Sequence, residues 1–265
     1  MRDASMVSMQ VNDFTPEADQ SLSAWRAIVI FLVYFLVQLV VGFGLGTCVG
    51  AYLAATRGPA GSSAISEAMA PLILPISMVG IVVAGLLAFG MTRRTLPGSL
   101  TQGALAPIGW RPSAIPMVGL AGLTGGLLSF FCLFVLVPAH PPAEGQQWGV
   151  LAASAAMGGW TRLLWALLAL LLAPPIEEFL FRGVLFSGLS NALGRQASAF
   201  LVTVVFVIMH ATEALGYWPV WASLCLLAGA TVLFRIQSQS LLPAIAAHTG
   251  YNLILVIAVY FGVGQ

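Results

Sequence analysis

Long apolar runs alternate with short polar or turn-rich stretches along almost the whole chain. Several runs reach about 20 residues, the length that an α-helix needs to cross a hydrocarbon core of roughly 30 Å. Because lipid offers the backbone no hydrogen-bond partners, each such run is predicted to be a transmembrane helix. The predicted segments cover residues 26–55, 69–92, 115–138, 160–192, 197–212, 217–234 and 241–263.

The predicted fold class is therefore all-α, a polytopic transmembrane helical bundle of about seven spans with a cytoplasmic N-terminus. Residues 1–23 are polar and lead directly into the first span, so they are predicted to form a cytoplasmic tail rather than a cleaved signal. Nothing in the sequence marks a second domain, and residues 24–265 are predicted to be a single transmembrane domain. Its motif-bearing core is expected at about 160–255.

Arginine placement supports this count and this orientation. All ten basic residues are arginine, and cytoplasmic segments of membrane proteins carry an excess of basic residues. With a cytoplasmic N-terminus, Arg57 and Arg162 fall outside and Arg182 falls within a span. Splitting the segment 160–192 at Pro175 would weaken this bias, so one long, bent crossing is predicted there. The other arginines fall at or near the cytoplasmic side, namely Arg2, Arg26, Arg93, Arg94, Arg111, Arg195 and Arg235.

Composition narrows the classes of function. Hydrophobic residues make up 59% of the chain and charged residues 7%, whereas a soluble domain carries about 25% charged residues. The formal net charge is +1, and no basic patch indicates a nucleic-acid partner. The three cysteines lie in different apolar runs without metal-binding spacing. No metal and no other cofactor is predicted.

Small residues at four-residue spacing mark two of the predicted helices. The first span carries Gly42, Gly46 and Gly50, and the second span carries Gly80 with alanines at the next two positions of the series. Such series let helix backbones approach each other closely in a membrane. We therefore expect close helix contacts along both series, with a packing role.

The stretch PPIEEFLFRG at 174–183 places three charged residues in an otherwise apolar segment. Each charge at mid-membrane costs about 2.5–3.5 kcal/mol on insertion scales. Glu178 and Arg182 are four residues apart on one helical face, where they are predicted to form an ion pair. Glu177 points about 100° away from Glu178 and therefore needs a partner on another helix.

The candidate partners of Glu177 are polar residues in later spans. His210 ends the sequence FVIMH, and His248 begins the sequence HTGYN, in which Asn252 shares its helical face. Counted from the cytoplasmic end of each helix at about 1.5 Å per residue, these residues fall in one layer with Glu177 and Arg182. Polar groups from three spans at one depth predict a shared site.

Three motifs carry a resemblance to a known family. EEFLFR has the form EExxxR, FVIMH the form FxxxH and HTGYN the form HxxxN, in this order along the chain. The set resembles the CPBP family, which comprises the type II CAAX prenyl endopeptidases and their bacterial relatives and is also called the Abi family. The resemblance covers about residues 160–255 and implies a glutamate-type intramembrane endopeptidase. It also implies that Glu178 and Arg182 hold the helix and orient its neighbours.

The same resemblance implies roles for the remaining motif residues. Glu177 and His210 would activate a water molecule, and His248 and Asn252 would stabilise the oxyanion. The residue types agree with these roles. A desolvated carboxylate suits a general base, and an amide or imidazole N–H can donate a hydrogen bond to a developing oxyanion.

The resemblance implies a peptide or protein substrate at the membrane, with the lipid bilayer as the protein's surroundings. The prenylated substrates of the eukaryotic relatives are not assumed, and the oligomeric state is left open. The short chain, the arginine-only basic residues and the lack of an organelle signal favour a multi-pass protein of the bacterial inner membrane.

Two other classes of function stay open at this point. Two histidines and a glutamate can bind zinc, although a zinc protease of the HExxH type would place both histidines on one helix. Intramembrane carboxylates and histidines also occur in transport proteins. A non-catalytic membrane scaffold, or an immunity or transport protein of the same fold, is therefore the alternative to the protease.

Overall fold

A computed structural model describes residues 21–57, 62–96, 105–142, 158–214 and 216–261 of the chain. Every regular element within these ranges is helical, which confirms the all-α fold class. Most of the predicted tail lies outside the described residues. The principal helices are α1 (Ala24–Arg57), α2 (Ser62–Thr95), α3 (Ile115–Ala139), α4 (Gly159–Leu193), α5 (Arg195–Met209), α6 (Ala211–Ala214), α7 (Trp218–Ser238) and α8 (Leu242–Tyr260).

Six of the described helices are long and apolar enough to cross a membrane, so the chain is a multi-pass membrane protein. The predicted span 197–212 corresponds to α5, which has only 15 residues. At 1.5 Å per residue it is about 22 Å long, shorter than a hydrocarbon core of roughly 30 Å. It ends at Met209 because His210, at φ −100° and ψ 13°, leaves the helical conformation. The side of the membrane on which the N-terminus lies stays a prediction.

Helix α4 runs without interruption through Pro174 and Pro175, which confirms one crossing rather than two. Two π-helical stretches, Leu168–Leu172 and Phe179–Leu185, flank the short α-helical turn that carries the prolines. A proline inside a helix removes one backbone donor and clashes with the preceding turn. The wider π-helical turn on the N-terminal side accommodates this defect within a continuous helix.

The second half of α4 is the centre of the bundle. All seven residues of Phe179–Leu185 are buried, and Arg182 among them is 0% exposed. Its apolar side chains pack against α1, α5 and α7, for example against Ile30, Val202 and Leu227. A helix that is surrounded on every side by protein is where charged side chains can be kept away from lipid.

Glycines set the close contact between α3 and α8. A methyl group added at Gly125 would overlap the carbonyl oxygen of Ala247, and one added at Gly250 would overlap the carbonyl oxygen of Gly122. The two backbones therefore touch, as small residues allow in membrane helices. This contact fixes the position of the α8 turn that carries His248.

The two small-residue series predicted to make close contacts differ in outcome. On α2, Gly80 lies against α1, where an added methyl would stand 3.1 Å from the carbonyl oxygen of Gln38. On α1, Gly42 belongs to this contact, because its backbone nitrogen would lie 3.7 Å from the methyl added at Gly80. The prediction is wrong for Gly46 and Gly50, where an added methyl would have no neighbour within 4 Å. Small residues permit a close contact but do not supply the opposing helix.

Replacing Gly250 by alanine is expected to destabilise the protein. The added methyl would overpack the contact between α3 and α8, at a cost of roughly 1–3 kcal/mol. The melting temperature in detergent should fall accordingly. Gly229→Ala on α7 is the matched control, because a methyl there would have no neighbour within 4 Å. Equal melting temperatures for the two variants would contradict the close contact.

Candidate active site

Helix α4 presents its two adjacent carboxylates to different surroundings. Glu178 is 0% exposed and faces the interior of the bundle, whereas the side chain of Glu177 is 24% exposed. Successive residues of a helix differ by about 100° in direction, which accounts for the separation. Glu178 can therefore organise the protein around it while Glu177 borders a cavity.

Glu178 and Arg182 form the predicted ion pair. Arg182 Nη1 lies 3.2 Å from Glu178 Oε1, and both side chains are fully buried. Arg182 Nη2 also donates to the backbone carbonyl of Ala228 on α7 at 3.1 Å. The guanidinium carbon lies 4.5 Å from the ring centroid of Phe206 on α5, within the range of a cation–π interaction. One arginine thus ties α4 to two other helices.

Glu178 has a second partner that the motif spacing did not predict. His248 Nδ1 on α8 lies 2.9 Å from Glu178 Oε1, the same oxygen that pairs with Arg182. Because a carboxylate oxygen accepts, His248 Nδ1 carries the proton in this contact. The other ring nitrogen, Nε2, then faces Glu177, at 3.9 Å from its Oε2 atom.

His210 is oriented by its own helix. Its Nδ1 atom donates to the carbonyl of Phe206 at 2.8 Å, four residues earlier, where α5 ends. The last carbonyls of a helix have no helical partner, so this hydrogen bond caps α5. With the proton held at Nδ1, the Nε2 atom of His210 is presented to Glu177 Oε2 at 3.6 Å.

Two imidazole Nε2 atoms therefore converge on one carboxylate oxygen. Glu177 Oε2 is buried and has no hydrogen-bond partner among the described residues. Its distances of 3.6 Å to His210 and 3.9 Å to His248 are longer than direct hydrogen bonds. A bridging water molecule can complete a polar contact of this length.

Asn252 reaches the same cavity from one turn beyond His248. Its Nδ2 atom donates to the carbonyl of Ala169 on α4 at 2.8 Å. That carbonyl lacks a helical partner, because the N–H of Ala173 bonds to Leu168 instead and Pro174 has no N–H to offer. The proline defect in α4 thus supplies the acceptor that orients Asn252, and one amide N–H stays free for another acceptor.

Glu177, His210, His248 and Asn252 line a cavity of about 290 Å³. Helices α3, α4, α7 and α8 contribute most of its wall, and aliphatic and aromatic side chains predominate there. Two further polar residues of the wall, Ser223 and Tyr251, are hydrogen-bonded to each other through their hydroxyl groups. Nothing in the three motifs indicated this pair, which comes from α7 and α8.

Phe206 is the residue that packs the site together. It is 1% exposed, and its ring lies 4.4 Å from the His210 ring and 5.9 Å from the His248 ring, between centroids. Its other contacts are with Arg182 and with the ring of Phe181 at 5.1 Å. The first residue of FxxxH therefore has a packing function.

The site therefore brings together all six predicted residues. His210 and His248 lie within 4 Å of Glu177, Asn252 lines the same cavity, and the buried pair Glu178–Arg182 lies behind them. Within the described part of the chain, no group of three or more histidine, cysteine, aspartate or glutamate side chains is arranged to hold a metal ion.

Comparison with known families identifies the part of the chain that builds this site. Residues 158–254 match the family described as type II CAAX prenyl endopeptidase Rce1-like. This match confirms the resemblance seen in the motifs, and it supports a protease-type function at the level of the family. The Rce1-like region contains all six site residues and begins one residue before α4. No curated protein and no solved structure matches the chain.

Replacing Arg182 by methionine is expected to destabilise the Rce1-like region. The substitution leaves Glu178 as a buried charge without its main counter-charge, and breaking a buried pair in this way costs about 3–5 kcal/mol. Arg195→Met is the matched control, because Arg195 is exposed at the start of α5. Thermal unfolding in detergent compares the two variants with the native protein. An unchanged melting temperature for Arg182→Met would rule out the structural function of the pair.

Proposed function

We propose that the chain is an intramembrane endopeptidase of the CPBP type, which hydrolyses a peptide bond with a water molecule activated by Glu177 and His210. The observation that supports this proposal is the convergence of two imidazole Nε2 atoms on the unpartnered oxygen of Glu177. These groups border a cavity of about 290 Å³, which has room for substrate side chains beside the carboxylate.

The hydrogen-bond acceptors around Glu177 would orient the attacking water molecule. Glu177 Oε2 and the Nε2 atom of His210 are both acceptors when His210 carries its proton on Nδ1. A water between them donates one O–H to each, so its lone pairs point away from both. A substrate carbonyl on that side meets the nucleophile with the general base already in contact.

His248 and Asn252 are the proposed donors to the oxyanion. His248 lies between the two carboxylates, with Nδ1 2.9 Å from Glu178 Oε1 and Nε2 3.9 Å from Glu177 Oε2. An imidazole that carries a proton on each ring nitrogen donates from Nε2, beside the second amide N–H of Asn252.

The proposed reaction balances with these groups alone. The water oxygen bonds to the carbonyl carbon while one proton passes to Glu177. The C–N bond then breaks, and the proton on Glu177 passes to the leaving nitrogen. The products are a carboxylic acid and an amine, and the carboxylate is restored for the next cycle. In a cavity with mainly apolar walls, the donors to the oxyanion act in a low dielectric and are stronger for it.

The proposed substrate is a peptide or protein segment that lies in or beside the membrane. The proposed location is the bacterial inner membrane, with the N-terminus in the cytoplasm. A scaffold of the same fold without turnover is the alternative, and the two variants described next separate it from the protease.

Replacing Glu177 by glutamine is expected to lower cleavage by at least about a hundredfold, the smaller end of the range for general-base catalysis. The amide keeps the size of the side chain but cannot take the proton of water. Glu67→Gln on α2 is the matched control, because Glu67 is exposed and lies outside the site. Full activity of Glu177→Gln would refute the general-base assignment.

Replacing His210 by alanine is expected to abolish cleavage while the protein stays folded and inserted. Peptides from membranes of cells that produce the native protein are compared with those from the His210→Ala variant. Peptides present only with the native protein identify the substrate and the cleaved bond. His140→Ala controls for the loss of a histidine, because His140 is exposed beyond α3. Identical peptide sets for all three proteins would favour the scaffold.

A further inference from the structure

A second cavity meets Glu177 from the side of α1. It has a volume of about 120 Å³ and lies between α1, α2, α4 and the end of α5. It shares Glu177, His210, Ala173 and Ile81 with the larger cavity, whereas the rest of its wall is different. Glu177 and His210, the proposed catalytic pair, therefore line both cavities. We call the smaller one the second chamber.

The polar lining of the second chamber is suited to water. Besides Glu177 and His210, its polar lining residues are Tyr34 and Gln38, which are one helical turn apart on α1. A buried water needs a cavity of at least about 10–15 Å³ and two to four polar partners. The second chamber meets both conditions, with room for more than one water molecule.

The larger cavity is less able to keep the nucleophilic water in place. Its wall is mainly apolar, and a bound peptide segment would displace the water within it. Glu177 Oε2 nevertheless has no protein hydrogen-bond partner among the described residues. A water supply on the other side of the carboxylate would survive substrate binding.

We infer that Tyr34 and Gln38 hold water in the second chamber and position it for Glu177 during hydrolysis. This inference rests on the proposed function. A phenol and a primary amide each donate and accept hydrogen bonds, so both can hold a water whose own proton faces the carboxylate. The substrate enters through the larger cavity, and water reaches the carbonyl carbon from the α1 side. The two residues position the water and take no proton from it.

Two substitutions test this inference through steady-state kinetics. Tyr34→Phe and Gln38→Leu each keep the approximate size of the side chain and remove its hydrogen bonds. Each is expected to lower kcat about tenfold, because a hydrogen bond to water is worth roughly that factor, and to leave KM unchanged. The assay uses a fluorogenic peptide that contains the cleaved bond identified from the membrane peptides.

Tyr52→Phe is the matched control for Tyr34→Phe, because Tyr52 is on the same helix and is 67% exposed. It should leave both kinetic constants unchanged. An unchanged kcat for Tyr34→Phe and Gln38→Leu would overturn the inference. A raised KM with unchanged kcat would also overturn it, since the chamber would then bind substrate rather than water.

A second measurement does not depend on turnover. Hydroxyl radicals generated by X-rays from bound water oxidise adjacent tyrosines, so Tyr34 should be oxidised although it is 4% exposed. The oxidation should persist in Glu177→Ala and decrease in Gln38→Leu. Absence of oxidation at Tyr34 would overturn the water site even if cleavage is observed. Oxidation of Tyr34 without any Glu177-dependent cleavage would instead refute the proposed function and leave a hydrated chamber.

Discussion

A buried carboxylate that must be shared between an arginine and a histidine is the constraint on which the site depends. Glu178 is fully buried, and one of its oxygens contacts both Arg182 and His248. Neither contact is dispensable, because an isolated charge in a low-dielectric interior is strongly unfavourable. The need to compensate this charge draws α8 towards α4. His248 is thereby placed where its second nitrogen faces Glu177.

Imperfections in the helices supply the remaining positions. The proline defect in α4 frees the carbonyl of Ala169 that holds Asn252, and the early end of α5 frees the carbonyl of Phe206 that holds His210. In a membrane these carbonyls cannot turn to bulk water, so a side chain must satisfy them. Two backbone carbonyls without helical partners therefore orient Asn252 and His210, which are two of the four candidate catalytic residues. Regular helices would have left both side chains without this restraint.

The sequence predicts those features that depend on local spacing or on bulk polarity. Hydropathy located the seven longer helices of the described residues, and the spacing of Glu178 and Arg182 predicted their contact. The convergence of Glu177 with His210 and His248 followed from the scarcity of polar residues in lipid. The contact between Glu178 and His248 did not follow, because motif spacing cannot show which of two adjacent carboxylates a distant helix meets. The sequence also did not show that Gly46 has no helix packed against it. Small residues do not reveal whether an opposing helix is present.

The region that matches the family supplies one part of the site, and helices outside that region supply the other part. The matched region, 158–254, contributes the ionisable groups, whereas α1 and α2 lie outside it and contribute Tyr34, Gln38 and Ile81 to the second chamber. In the proposed reaction, bond hydrolysis would constrain the first set, because each group would have to reach one reacting centre within hydrogen-bond distance. A hydrated space behind the carboxylate can be lined by any residues with suitable size and polarity. Helices with little family signature can therefore control the access of water to a site whose reacting groups all come from elsewhere in the chain.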